Sequence, residues 1–217
     1  MNPVTYVKTN VSQEQVLRSL SSGTALLVYL IVLVYLIQHH LFPEHISPFV
    51  DDSWRSLFAI HPDTVFTPVT WVGSVLTHYD ITHLLVNMVL LIPLAWMVET
   101  TASKKQLFAI FFVTGSLSMI LQTVILVESF ERVAYSFGSS GSILGLMGYL
   151  SVTLHKFNIE RIHGFTIRLN YLFILSFFIM VGLSFSGEWV TDGIGHISHT
   201  AGYLLGVMYA LVVVMLK

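Results

Sequence analysis

Residues 138–148 read GSSGSILGLMG, an apolar segment in which glycines recur every three or four residues. On a helix, this spacing leaves one face almost without side chains, so that the backbone of a second helix can approach closely. Gly202 and Gly206 form a comparable face within residues 194–216. We therefore expect the two helices to pack closely, with residues 139–154 as a short helix inside a larger bundle.

The composition indicates a membrane protein. Of the 217 residues, 54% are hydrophobic and 10% are charged, whereas about a quarter of the residues are charged in a typical soluble domain. A soluble enzyme is therefore excluded. The net charge of −2, with 10 Lys and Arg residues, provides no basic surface for nucleic acid. Since the sequence has no cysteine, disulfides, thiolate metal sites and a cysteine nucleophile are excluded as well.

Six apolar blocks are candidates for crossing the hydrocarbon core of a bilayer. They lie at residues 25–42, 82–101, 104–127, 139–154, 165–186 and 194–216. We predict an all-α polytopic membrane protein with a six-transmembrane-helix bundle, in which the other five spans surround the short fourth span. Residues 1–20 are predicted to form a polar cytoplasmic tail, and residues 21–217 a single six-helix domain.

The distribution of Lys and Arg predicts the orientation, because these residues are enriched in cytoplasmic loops. When six spans alternate in direction, eight of the ten basic residues fall on the side of both termini: Lys8, Arg18, Lys104, Lys105, Lys156, Arg161, Arg168 and Lys217. We therefore predict a multi-pass protein of the plasma or inner membrane with both termini in the cytoplasm. The second, fourth and sixth spans then begin near the extracytoplasmic face.

Polar residues within a membrane span are costly, so that each one is a candidate functional residue. The second span carries His83 and Asn87 four positions apart on one helix face, the fourth begins near Ser140, and the sixth contains His199. These three clusters lie at the same depth in the predicted topology. A histidine that takes the proton of a serine hydroxyl creates a nucleophile, and an amide donor can stabilise the resulting oxyanion.

These motifs resemble those of the rhomboid family of intramembrane serine proteases. The family's GxSG pattern corresponds to Gly138–Gly141, and its HxxGxxxG pattern to His199, Gly202 and Gly206. Its H-x4-H-x3-N pattern corresponds to His78, His83 and Asn87, and a later acidic residue of the family to Glu99. The resemblance extends over about residues 21–217. The chain departs from the family at Leu144, where an aromatic residue usually stacks on the catalytic histidine.

The resemblance implies a Ser140 nucleophile and a His199 general base, a dyad without a carboxylate. His83, Asn87 and the backbone N–H of Ser140 would form the oxyanion hole. Small residues would pack beside this site, at Gly138, Gly141, Gly145, Gly202 and Gly206. Among neighbouring residues, His196 is the alternative base, while Ser139 and Ser142 are interpreted as packing or capping residues and His78 as structural.

The function implied by the resemblance is a serine endopeptidase that cleaves transmembrane segments of other membrane proteins near the extracytoplasmic face. It would work within the lipid bilayer, with no metal or cofactor. The alternative is a non-catalytic rhomboid-like protein that binds membrane helices. A haem-binding electron carrier with His83 and His199 as iron ligands would leave Ser140 and Asn87 unexplained.

Overall fold

The computed structural model describes residues 22–41, 58–130, 135–154, 158–162, 165–185 and 195–216. The elements in these segments are helices α1 (Gly23–Leu41), α2 (Pro68–Leu76), α3 (Ile81–Glu99), α4 (Lys104–Phe130) and α5 (Ser140–Thr153), strands β1 (Asn158–Ile162) and β2 (Phe165–Arg168), and helices α6 (Leu169–Phe185) and α7 (His196–Met215). The predicted tail at residues 1–20 lies outside the described residues.

Six of these helices coincide with the six predicted spans. Helices α1, α3, α4 and α7 are each long and apolar enough to cross a bilayer. Helix α5 has 14 residues and α6 has 17, which is shorter than the roughly 20 residues of a typical span. The helical, multi-pass membrane class predicted from the sequence is confirmed.

A two-stranded antiparallel hairpin precedes α6 and was not predicted. The paired residues are Asn158 with Arg168, Ile159 with Ile167, and Ile162 with Phe165. The fifth span was predicted to begin at residue 165, but the helix begins only at Leu169. Residues 165–168 include Phe and Ile, and hydropathy alone does not distinguish a short apolar strand from the start of a helix.

Helix α5 is the central helix of the bundle. It packs against α3, α4, α6 and α7, and nine of its 14 residues are buried. A helix that is covered by other helices need not match the full thickness of the hydrocarbon core. Helix α5, which corresponds to the predicted fourth span, therefore lies among the helices of four other predicted spans.

Helices α5 and α7 cross with their backbones in direct contact. A Cβ atom built on Gly202 would overlap the carbonyl oxygen of Gly141, and one built on Gly206 would overlap that of Gly145. The two glycine faces thus meet one another. Since even a methyl group has no space at either position, glycine is required at this crossing.

The carboxylate of Glu99 joins two helices, α1 and α3. Glu99 is the last residue of α3, and its Oε1 accepts a hydrogen bond of 2.7 Å from the N–H of Gly23. Its Oε2 accepts hydrogen bonds from the N–H of Thr24 at 3.0 Å and from its hydroxyl at 2.6 Å. These bonds satisfy N–H groups in the first turn of α1 that have no partner within the helix. Glu99 therefore fixes the start of α1 to the end of α3.

The substitution Gly206→Ala tests the helix crossing. The new Cβ would press on the Gly145 carbonyl, so that α5 and α7 must separate. We expect the free energy of unfolding to fall by about 1–3 kcal/mol, the usual effect of overpacking. Thermal unfolding in detergent measures this loss. Met208→Ala is the control, since Met208 lies on the same helix and is 60% exposed; equal melting temperatures for the two variants would contradict the requirement for glycine.

Candidate active site

Ser140 and His199 lie together where α5 and α7 begin. Ser140 is the first residue of α5, and His199 lies in the first turn of α7. The distance between Ser140 Oγ and His199 Nε2 is 2.8 Å, which is a hydrogen bond. Ser140 is adjacent to Gly141, and His199 precedes Gly202 by less than one turn. The contact between these two glycines therefore determines how far apart the two side chains lie.

The turn that leads into α5 is held from outside the helix. Gly138 has a φ angle of +116°, a conformation that glycine adopts readily and other residues rarely do. Its N–H donates a hydrogen bond of 2.8 Å to the carbonyl of Ser74 in α2. Two residues earlier, Ser136 and Ile60 exchange backbone hydrogen bonds of 2.8 and 2.9 Å. The approach to Ser140 is thus fixed by the segment that contains α2.

His83 and Asn87 both lie on α3. The carboxylate of Asp80 caps α3 by accepting a 2.7 Å hydrogen bond from the N–H of His83. The buried Asn87 donates through Nδ2 to the carbonyl of His83 at 2.9 Å, which leaves its second amide hydrogen for another acceptor. A Cβ atom on Gly138 would lie 2.9 Å from Cε1 of His83, so that the imidazole packs against the turn.

The hydrogen bonds of His83 indicate which ring nitrogen carries the proton. Nδ1 lies 3.4 Å from the backbone N–H of Tyr79, which can only donate. In the neutral ring, Nδ1 is therefore the acceptor and Nε2 carries the hydrogen. This Nε2 is on the part of the ring that faces Gly138. His83 thus presents a hydrogen-bond donor on the side of the turn that precedes Ser140.

A second Ser–His pair lies next to the first and was not predicted. Ser139 Oγ is 3.0 Å from His78 Nε2, and His78 Nδ1 is 3.2 Å from the carbonyl oxygen of Leu76. The side chains of Ser139 and His78 are both fully buried. In the sequence, Ser139 stands out only as a neighbour of Ser140, and His78 as the first histidine of the H-x4-H-x3-N pattern, with an interpretation as structural. No local pattern could pair them, because they are 61 positions apart.

The alternative residues have different surroundings. The ring centroid of His196 is 6.3 Å from that of His199, and the hydrogen bond to Ser140 is made by His199. Ser142 is buried within α5, where a Cβ on Gly115 of α4 would overlap its Oγ. Among the described residues, this Oγ has no hydrogen-bond partner. Ser142 is therefore a packing residue in the described part of the protein.

Gln122 of α4 links the two segments that carry Ser140 and His199, a role that the sequence did not reveal. Its Oε1 accepts a 3.1 Å hydrogen bond from the N–H of Ser198, in the first turn of α7. Its Nε2 donates to Ser136 Oγ at 3.2 Å, in the segment before α5. The available signal was the presence of an amide within an otherwise apolar span.

The burial of His78 predicts a pH-dependent stability. Burial lowers the pKa of His78 to about 3, and the neighbouring His83 acts in the same direction. The unfolded chain binds a proton at His78 near pH 6.5, whereas the folded protein keeps this ring neutral. The stability that depends on neutral His78 is therefore complete above pH 6.5. It is lost as the pH falls towards 3, by up to about 1.4 kcal/mol per unit.

Chemical unfolding of the wild type and of His78→Gln between pH 6.5 and 4.5 measures this effect. Groups remote from His78 titrate equally in both proteins, so that the difference between the two curves reports on His78 and its interaction with the neighbouring His83. We expect the wild type to lose stability faster than the variant as the pH falls. Parallel curves over this interval would show that His78 is not kept neutral by the fold.

A comparison with known protein families supports the resemblance that the motifs suggest. The Rhomboid domain model matches residues 65–216, which is more than half of the chain and includes α2 to α7. No curated protein shows significant similarity to the chain. Because the match includes all three polar clusters and the helices that carry them, the chain belongs to the rhomboid family of multi-pass membrane proteins.

Proposed function

We propose that this protein is an intramembrane serine endopeptidase, with Ser140 as nucleophile and His199 as general base. The observation that carries the proposal is the 2.8 Å hydrogen bond between Ser140 Oγ and His199 Nε2. Family membership alone is compatible with a non-catalytic relative that binds membrane helices. A serine and a histidine that meet at the start of two crossing helices favour the protease, because packing alone does not require this pair.

In the proposed reaction, Ser140 Oγ attacks the carbonyl carbon of the scissile peptide bond while His199 Nε2 accepts the hydroxyl proton. The resulting tetrahedral intermediate collapses, the C–N bond breaks, and His199 gives the proton to the leaving amine. A water molecule then attacks the acyl-enzyme, again with His199 as base, and releases a new carboxyl group and free Ser140.

The negative charge of the intermediate requires hydrogen-bond donors. Three donors are proposed: the backbone N–H of Ser140, Nε2–H of His83 and the second amide hydrogen of Asn87. The backbone group belongs to the first turn of α5, where N–H groups have no partner within the helix. The positive end of the helix dipole adds to this stabilisation. Donors that are fixed before the reaction are more effective than water, because they need not reorient.

The length of α5 supports cleavage inside the membrane. Its 14 residues extend over about 21 Å, whereas the hydrocarbon core is about 30 Å thick. If the end of α5 at Thr153 lies at the cytoplasmic boundary, Ser140 is below the opposite surface. A substrate must then be a transmembrane segment of another protein, and its helix must unwind locally to expose a carbonyl. We also propose that the protein acts in the cell membrane and that both of its termini lie in the cytoplasm.

Labelling with a fluorophosphonate probe, which reacts with activated serines, tests the dyad in detergent-purified protein. We expect Ser140→Ala and His199→Ala to reduce the labelling rate by at least about a thousandfold. The matched controls are Ser142→Ala, one position beyond Gly141 on the same helix, and His196→Ala, one turn before His199. Both should label at close to the wild-type rate.

The same experiment distinguishes the alternatives. A folded wild type that does not label would contradict the protease and favour the non-catalytic helix-binding protein. Labelling that depends on His196 instead of His199 would retain an activated serine but refute the proposed base. An absorption spectrum of the same purified sample tests the haem carrier, for which we expect no haem band.

The variant Asn87→Ala tests the oxyanion hole. Removal of one donor to a developing oxyanion lowers the chemical rate by about a hundredfold. We expect this loss in the limiting rate of labelling, kinact, with little change in the binding constant of the probe, KI. Val86→Ala is the control, because Val86 is the preceding residue and is exposed. If both variants label equally fast, Asn87 is not a donor to the oxyanion.

A further inference from the structure

Ser139 occupies the N-cap position of α5, but its hydroxyl does not cap the helix. A serine at an N-cap normally accepts a hydrogen bond from an N–H of the first turn. Ser139 Oγ instead lies 3.0 Å from Nε2 of His78, which belongs to the loop between α2 and α3. The hydrogen bond that would cap α5 is thus absent, and the Ser139 hydroxyl instead forms a buried hydrogen bond with a residue that is distant in the sequence.

The direction of this hydrogen bond follows from the other side of the imidazole. His78 Nδ1 lies 3.2 Å from the carbonyl oxygen of Leu76, which can only accept a hydrogen bond. Nδ1 therefore carries the ring hydrogen, and Nε2 is left as an acceptor. Ser139 must then be the donor. Each group in these two hydrogen bonds can act only as the donor or only as the acceptor. The Ser139 side chain therefore cannot rotate without the loss of a buried hydrogen bond.

His78 also contacts the second half of the candidate active site. Its ring centroid is 5.1 Å from that of His83, in an edge-to-face arrangement. Its own carbonyl accepts a 3.2 Å hydrogen bond from Nε2 of the buried Gln38 in α1. His78 is therefore anchored by α1, while its ring lies between Ser139 and His83.

We propose that His78 and Ser139 are positioning residues, which hold the Ser140 nucleophile in register with the His83 donor. The inference rests on the proposed protease function and extends it to residues outside the dyad and the oxyanion hole. Neither residue would touch the substrate. The Gly138 turn can adopt conformations that other residues cannot, and the Ser139–His78 bond restrains the residue that joins this turn to Ser140.

The expected consequence is kinetic. A displacement of a reacting group by about 1 Å lowers the rate by about a hundredfold without a comparable change in ground-state binding. We expect Ser139→Ala to lower kinact of fluorophosphonate labelling by about ten- to a hundredfold, with KI changed by no more than about twofold. The experiment uses the full chain in detergent.

Ser142→Ala is the matched control for Ser139→Ala. Both serines are fully buried, Ser139 at the N-cap of α5 and Ser142 in its first turn, and both variants lose one hydroxyl. In the described residues, Ser142 Oγ makes no hydrogen bond. We expect wild-type kinact for Ser142→Ala. Ser139→Ala should melt at a lower temperature than Ser142→Ala, because it leaves Nε2 of the buried His78 without its donor, and labelling is therefore compared well below both melting temperatures. If Ser139→Ala labels as fast as Ser142→Ala, or slows only in proportion to a lower melting temperature, the positioning role is refuted.

Variants at His78 separate the hydrogen bond from packing. Gln offers an acceptor oxygen to Ser139, so that His78→Gln should retain more of kinact than His78→Leu. In the double variant Ser139→Ala/His78→Leu, kinact should be no lower than in His78→Leu alone, because the two residues act through one bond. Additive losses would refute a shared role. A wild type that does not label would instead contradict the protease itself, and this role with it.

Discussion

The backbone contact between α5 and α7 is the constraint on which the rest of the structure depends. Between helices in a membrane there is little hydrophobic driving force, since lipid tails are as apolar as the side chains. Close approach through glycine replaces that force with van der Waals contact along the crossing. Gly202 and Gly206 meet the carbonyls of Gly141 and Gly145. Any larger residue at Gly202 or Gly206 would overlap these carbonyls and force α5 and α7 apart.

Polar contacts then refine what the glycine crossing brings together. Gln122 forms hydrogen bonds with both Ser198 of α7 and Ser136 before α5. The carbonyl of Ser74 accepts a hydrogen bond from Gly138, and His78 forms one with Ser139. Ser74, Ser136, Ser139 and His78 in these contacts are buried, and an unpaired polar group is costly where it is buried. The alternatives to the observed geometry therefore involve lost hydrogen bonds as well as steric overlap.

Much of the fold could be predicted because its signals are local. The lengths of the apolar blocks predicted the helices, and the glycine spacing predicted a short fourth span among the others. The start of the fifth span was wrong because Phe165 and Ile167 continue an apolar block while the backbone is a strand. For the candidate site, the motif positions selected Ser140, His199, His83 and Asn87, and their roles remain predictions for the labelling experiments.

The sequence by itself determined a multi-pass helical membrane protein of the rhomboid family, since block length, composition and motif spacing are properties of the chain read in order. Only the tertiary structure decided that His78 meets Ser139, that Gln122 meets Ser198, and that Glu99 meets the start of α1. These contacts join residues 61 to 76 positions apart. A buried polar group must find some partner, but which partner it finds depends on how the helices pack.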